Sequence, residues 1–164
     1  MAIAYDLDCA TRLTADEVAA HVREIGRETG VLDASVTAER LVGEGAAARL
    51  GTWIRVVTSR APQPWDPIVT DLAFTPTVGT VFRMAKGVEV SDQQDDMIRL
   101  VVPLLERMDG DAVLHSDFET IWLLRKKGEL SLNEDDDLWR PQRLALVKQP
   151  YRRETHIMES VFSD

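Results

Sequence analysis

Hydrophobic and polar positions alternate at the start of the chain. Ile3, Tyr5, Leu7 and Cys9 fall on one side; Ala4, Asp6 and Asp8 fall on the other. Period two with acids on one face predicts a half-buried antiparallel strand over residues 2–10. The period then changes. Leu13-Thr14-Ala15-Asp16-Glu17-Val18 offers a Thr cap, a Glu three positions on and a flanking apolar pair, which together open a helix. Val18, Val22, Ile25 and Thr29 continue it at helical spacing, and Gly30 supplies the stop. Thr37 to Leu41 is short enough for one or two helical turns, and Gly43 and Gly45 interrupt anything longer.

Residues 51–58 are β-branched and aromatic and read as a strand. Pro62, Pro64 and Pro67 stiffen the following loop. Ile68 to Phe74 and Val78 to Met84 read as strands on either side of a Thr75-Pro76-Thr77 turn. Ser91 with Gln94 repeats the capping-box spacing. Met97, Leu100, Val101, Leu104, Leu105 and Met108 form its apolar stripe, with Pro103 placed to kink or split the helix. Ala112 to Lys126 reads as one long strand with Leu114, Phe118, Trp122 and Leu124 on a shared face. Lys127-Gly128 turns it into a partner strand, Glu129 to Leu132. Asn133 to Asp137 is an acidic loop, and Pro141 opens a short helix through Val147. The order of elements predicts an α+β fold: a mainly antiparallel sheet with two main capped helices packed on one face. No linker divides the chain, so residues 1–164 read as a single domain, with 149–164 a C-terminal tail or extended cover.

Charge changes the picture more than composition does. Nineteen Lys and Arg against 28 Asp and Glu leave a net charge of −9, which argues against a nucleic-acid partner gripped through its phosphates. No run of 18 apolar residues exists, and the first residues lack a basic stretch, so neither a membrane span nor a secretory signal is expected and the localisation reads as cytoplasmic. The single cysteine, Cys9, excludes an internal disulfide and a cysteine-only metal site. It lies on the apolar face of the first strand, where inert packing is the expected role.

Three groups of residues carry candidate chemistry. His115, Asp117 and Glu119 stand at i, i+2, i+4 and would share one face of a strand, a spacing that suits a metal ion or an acid/base pair. The competing reading is a solvated strand face, since His21 and His156 lie far off in sequence. Asp92, Asp95 and Asp96 crowd the start of the second helix, where charge complements the helix dipole. Glu134, Asp135, Asp136 and Asp137 follow Glu129 in a loop that lacks the Asp-x-Asp-x-Asp-Gly order of a calcium site. A solvated loop or a docking surface for a basic protein fits it better, with Trp139 beside it as an aromatic anchor. Trp53, Trp65 and Trp122 read as core or pocket lining. No phosphate loop, dinucleotide fingerprint or Gly-x-Ser-x-Gly elbow is present, and no cofactor is implied.

Several strings stand out as a set: Tyr5-Asp6-Leu7; Leu50-Gly51-Thr52-Trp53; Phe74-Thr75-Pro76-Thr77-Val78; Phe82-Arg83; Gln94-Asp95-Asp96-Met97 with Arg99-Leu100-Val101; Gly110-Asp111-Ala112-Val113-Leu114; Trp122-Leu123-Leu124-Arg125; and Leu130-Ser131-Leu132-Asn133. Together they resemble small actinobacterial proteins grouped with the immunity proteins of the swarming-inhibition (Sit) toxin systems, over about residue 4 to residue 156. The resemblance implies a cytoplasmic, non-catalytic protein that binds and neutralises a cognate toxin. It brings no catalytic or binding residues with it. With that resemblance, the acidic residues Asp92, Asp95, Asp96, Glu134, Asp135, Asp136 and Asp137, with Trp139 beside them, become the expected docking surface for the toxin. The alternatives are a module that self-associates, as a homodimer, through a sheet edge, and a small metal-dependent enzyme built on His115, Asp117 and Glu119.

Overall fold

The alternation of the first strand becomes β1 (Ala4–Cys9), whose Tyr5, Leu7 and Cys9 are buried while Asp6 and Asp8 stay half-exposed. The computed structural model describes residues 3–159; residue 2 of the expected strand and residues 160–164 of the expected tail lie outside them. α1 (Ala15–Thr29) starts with the capping box read from the sequence. Thr14 Oγ1 accepts from the Glu17 N–H at 3.1 Å, Glu17 Oε1 accepts from the Thr14 N–H at 3.1 Å, and Gly30 ends the helix in the left-handed region. α2 (Ala38–Val42) is a short turn capped by Thr37, and β2 (Ala46–Ala47) and β3 (Trp53–Thr58) follow.

The next segment departs from expectation. Ile68 to Phe74 does not form a strand: α3 (Pro67–Asp71) occupies it. Asp66 Oδ1 accepts from the Ile68 N–H at 2.9 Å, and Pro67 takes the first helical position, where its fixed φ and missing N–H cost nothing. These local signals outweigh the β preference of Ile68, Val69 and Thr70 over so short a stretch. β4 (Val78–Arg83) and α4 (Val90–Glu106) come next. Ser91 does not cap α4. The helix begins at Val90 behind Glu89, two residues earlier than a Ser91 cap requires, and no side chain caps it. Pro103 does not split it either: Pro103 and Arg99 lie on its more exposed side, where the carbonyl left without a partner can meet water.

Ala112 to Lys126 is two strands, β5 (Ala112–Ser116) and β6 (Thr120–Lys126). Asp117 and Phe118 turn the chain with φ of 52° and 59°. No glycine or proline announces this turn, and the shared face expected for Leu114, Phe118, Trp122 and Leu124 does not exist. Leu114 belongs to the main core and Leu124 to a second cluster behind the sheet. β7 (Glu129–Leu132) pairs with β6 through the Lys127-Gly128 turn, as expected. α5 (Pro141–Leu144) is shorter than expected, and β8 (Tyr151–Arg153) draws the C-terminal segment into the sheet beside β7.

The fold is α+β. Among the described residues eight strands run in the order β2-β3-β4-β1-β5-β6-β7-β8, antiparallel throughout except for the β7–β8 pair. α1 and α4 pack against each other and bury their apolar sides with Leu7, Ile54, Val56, Phe82 and Leu114 on one sheet face. Behind β5 and β6, Ile68, Leu72, Phe74 and Met158 cover Val113, Ile121 and Leu124. One close approach fixes the α4–β5 connection. Gly110 has φ +90°, and a Cβ there would overlap the Ala10 carbonyl. The buried Arg125 guanidinium satisfies the end of α4, donating to the carbonyls of Leu105, Met108 and Gly110 at 2.6, 2.9 and 2.8 Å.

Candidate functional site

The two acidic clusters, some 40 residues apart in sequence, meet at one arginine. Arg143, on α5, is fully buried, and its guanidinium donates in three directions. It reaches Asp95 Oδ1 at 2.7 Å, the Leu138 carbonyl at 2.9 Å, and the Ser91 carbonyl and Oγ at 2.7 and 2.9 Å. The start of α4 and the end of the acidic loop are therefore pinned to the same fork. A planar guanidinium suits this task because it offers several donors in fixed directions.

The rest of the α4 N-terminal cluster also points inward. Asp96 is buried between two arginines: Arg49 grips it through two bonds of 2.9 and 2.7 Å, and Arg99 adds one of 3.0 Å. Gln93 is fully buried. Its Oε1 accepts from Thr52 Oγ1 and the Ala85 N–H at 2.8 and 2.7 Å, and its Nε2 donates to the Ala85 and Val88 carbonyls. Gln94 donates to Tyr5 Oη at 2.7 Å. Burial pushes the Tyr5 hydroxyl up from its ordinary value, with the Gln94 bond pulling the other way. So Asp96 cannot belong to an exposed docking surface, and Asp95 is committed to Arg143. Asp92 alone of the three is exposed.

Glu134, Asp135, Asp136 and Asp137 are all exposed. Their loop is nonetheless held in shape. Asn133 Oδ1 accepts from the Asp135 N–H and Asp135 Oδ1 from the Asp137 N–H, each at 2.8 Å. The buried Asn133 amide donates to the Ile121 carbonyl at 2.8 Å, and Arg153 donates to the Asn133 carbonyl. Thr155 and Glu134 exchange bonds with each other's backbone. Immediately after the loop Trp139 is completely buried, and its indole N–H donates to the Trp122 carbonyl at 2.6 Å. Trp139 is therefore an internal anchor of the loop and not a contact for a partner.

His115, Asp117 and Glu119 do not share a face, because the chain turns between β5 and β6. Among the described residues no group of three His, Cys, Asp or Glu is arranged to hold a metal ion. His115 is buried, and its ring is stacked on Phe118 at 4.4 Å between centroids. Its Nδ1 accepts from the Phe118 N–H at 3.2 Å, so the ring proton sits on Nε2 and goes to Asp8 Oδ2 at 2.8 Å. That pair ties the β5–β6 turn to β1. Asp8 has room to reach it because residue 79 is glycine: a Cβ there would stand 2.9 Å from Asp8 Oδ1. Cys9 is buried beside it, and burial first, then the Asp8 charge, push its thiol up to about 12. That thiol is a packing group.

A family model described as SitI3-like matches residues 3–143. The chain belongs to the SitI3-like family. No curated protein and no solved structure matches it. The match runs from β1 to Arg143 and so takes in both acidic clusters and the arginine that joins them. It agrees with the resemblance to swarming-inhibition immunity proteins and makes this an immunity-like protein. The geometry also gives structural duties to the strings that carried that resemblance. Tyr5, Thr52, Gln94, Asp95 and Asp96 come from three of them and are neighbours in one polar network at the base of α4. Among the described residues that network leaves no buried side-chain polar atom without a partner.

Arg143, Arg49, Gln93 and Asn133 are the residues that sequence reasoning missed. The signal available for Arg143 was a basic residue shortly after an acidic run and a Trp. Nothing local in the sequence said that it turns inward.

Proposed function

We propose that this SitI3-like protein is a cytoplasmic, non-catalytic immunity protein that neutralises a cognate protein toxin by docking it on the loop Glu134–Asp137 together with Asp92. Family membership is the observation that carries the reading. The loop supports it: four exposed carboxylates on a backbone already fixed by Asn133, Asp135 and Trp139 lose little freedom on binding. The net charge of −9 adds long-range attraction for a basic toxin and speeds encounter. The other reactive side chains have structural duties, Cys9 as a packed thiol and His115 as a clamp between β1 and β5.

The test is to express the protein with the product of a neighbouring gene in a sensitive host and to measure association of the purified pair. Protection and a stable complex are expected. Reversing Glu134, Asp135, Asp136 and Asp137 to Lys should slow association by about tenfold or more at low salt, with a much smaller effect at high salt. Absence of both protection and complex with any neighbour overturns the reading. An association rate untouched by the reversal removes the loop from it.

A further inference from the structure

The sheet face away from α1 and α4 is covered behind β5 and β6 but open behind β3. There β3 and the segment 59–66 enclose a cleft of about 700 Å³ lined by Asp8, Arg55, Thr58, Arg60, Gln63 and Asp66, among others. β2 pairs only with Trp53 and Ile54, so beyond them no strand of the described residues lies on that side of β3. Backbone groups alternate along an antiparallel strand. The Ser59 N–H bonds the Thr77 carbonyl on the β4 side, so the N–H and C=O of exposed Thr58 point the other way, along the cleft. Pro62 and Pro64 stiffen the outer wall, and Trp65 stands on the same segment 73% exposed.

The charges of the cleft are not equivalent. Its two carboxylates are already engaged, Asp8 by His115 Nε2 and Asp66 by the Ile68 N–H. Its two arginines are exposed, and among the described residues neither Arg55 nor Arg60 makes an ion pair or a side-chain hydrogen bond. Arg55 and Arg60 are therefore the charged groups of the cleft left for a ligand, and a ligand that pairs with them carries negative groups.

We propose that the cleft between β3 and the segment 59–66 receives an extended acidic segment of a protein partner, its carboxylates on Arg55 and Arg60 and its backbone beside Thr58. The identity of that partner as the toxin rests on the function proposed above; the chemistry of the occupant rests on the cleft alone. Two guanidiniums are enough for one or two carboxylates, whereas a nucleic acid needs many cations along its phosphates. Trp65, exposed on the same segment, is a large apolar side chain of the kind that anchors protein contacts. A partner held by carboxylates here and by basic groups on the loop Glu134–Asp137 is fixed in one orientation, because either swap brings like charges together.

The experiment titrates the full chain with hexaglutamate, hexalysine and a short single-stranded oligonucleotide at low salt, reading tryptophan fluorescence with Trp65→Phe to assign the signal. Hexaglutamate should bind and perturb Trp65. Arg55→Glu with Arg60→Glu should weaken it by about tenfold or more while leaving the urea midpoint unchanged, since both side chains are exposed. No response to hexaglutamate, a response indifferent to the double reversal, or a preference for the oligonucleotide overturns the proposal. A toxin complex retained at full affinity by the double variant also overturns it and leaves toxin capture standing. Hexaglutamate binding with no toxin complex at all does the reverse.

Discussion

At the scale of single residues, Arg49, Arg125, Arg143 and Arg153 organise the fold. Arg143 is the clearest case, because one side chain links Ser91, Asp95 and Leu138. Arg143→Met keeps the volume but leaves three backbone carbonyls and a carboxylate without their donor, and should cost about 3 kcal/mol in urea denaturation. Arg143→Lys should recover little of this, since an ammonium cannot serve the same directions at once. Faster hydrogen exchange at Asp135 and Asp137 in both variants would show that the loop has lost its base. The sequence displayed the acids but not their fate, because Asp96 and Asp95 are neutralised by Arg49 and Arg143, each more than 40 residues away. Asp6 illustrates a pH effect of opposite kind to a salt bridge. Burial raises its carboxyl above the ordinary 3.8, Asp8 and Asp117 add to the shift, and His115 opposes it. The folded chain therefore holds this proton more tightly than the unfolded chain does. The resulting stabilisation is present below the ordinary carboxyl range and is lost as pH rises through the raised value. Asp6→Asn should match the parent at low pH and become the more stable of the two between about pH 4 and pH 7. Urea midpoints across that range test it, and a constant difference would place the cause elsewhere.

At the scale of elements, local chemistry and context divide the chain between them. α1 was fully legible because its capping box, staple and stop lie within eighteen residues of one another in the sequence, and the box and the stop are both present. α3 carried an equally local signal, Asp66 followed by Pro67, but three β-branched or apolar residues obscured it. Asp66→Ala should therefore cost about 1 kcal/mol, as should Thr14→Ala at α1, which a strand over Ile68 to Phe74 would not predict. Chemical denaturation of the two variants side by side makes the comparison. The β5–β6 turn was illegible for a different reason. Its left-handed residues are Asp117 and Phe118, whose conformation is held from outside by the His115 ring and its bond to Asp8. β8 was illegible too, since its three residues, two of them exposed, acquire strand form only by adding to β7.

At the scale of the whole molecule, a net charge of −9 affects every encounter, so a slower association after reversing one loop could reflect overall charge and not position. Position can be separated from charge. Asp16, Glu39, Glu44 and Glu106 are exposed, lie on or beside α1, α2 and α4, and among the described residues their carboxylates enter no ion pair or hydrogen bond. Reversing these four to Lys changes net charge as much as reversing Glu134, Asp135, Asp136 and Asp137. If the loop is where a basic toxin docks, the loop variant should associate more slowly than this charge-matched control by about fivefold or more at low salt, and the dissociation rate should rise in the loop variant only. Stopped-flow association at several salt concentrations measures both. Equal slowing in the two variants would mean that the field of the whole protein steers the toxin and that the rigid acidic loop is not its seat. The rigidity conferred by Asn133, Arg143 and Trp139 would then serve only to close the end of the sheet over Leu138 and the first turns of α4.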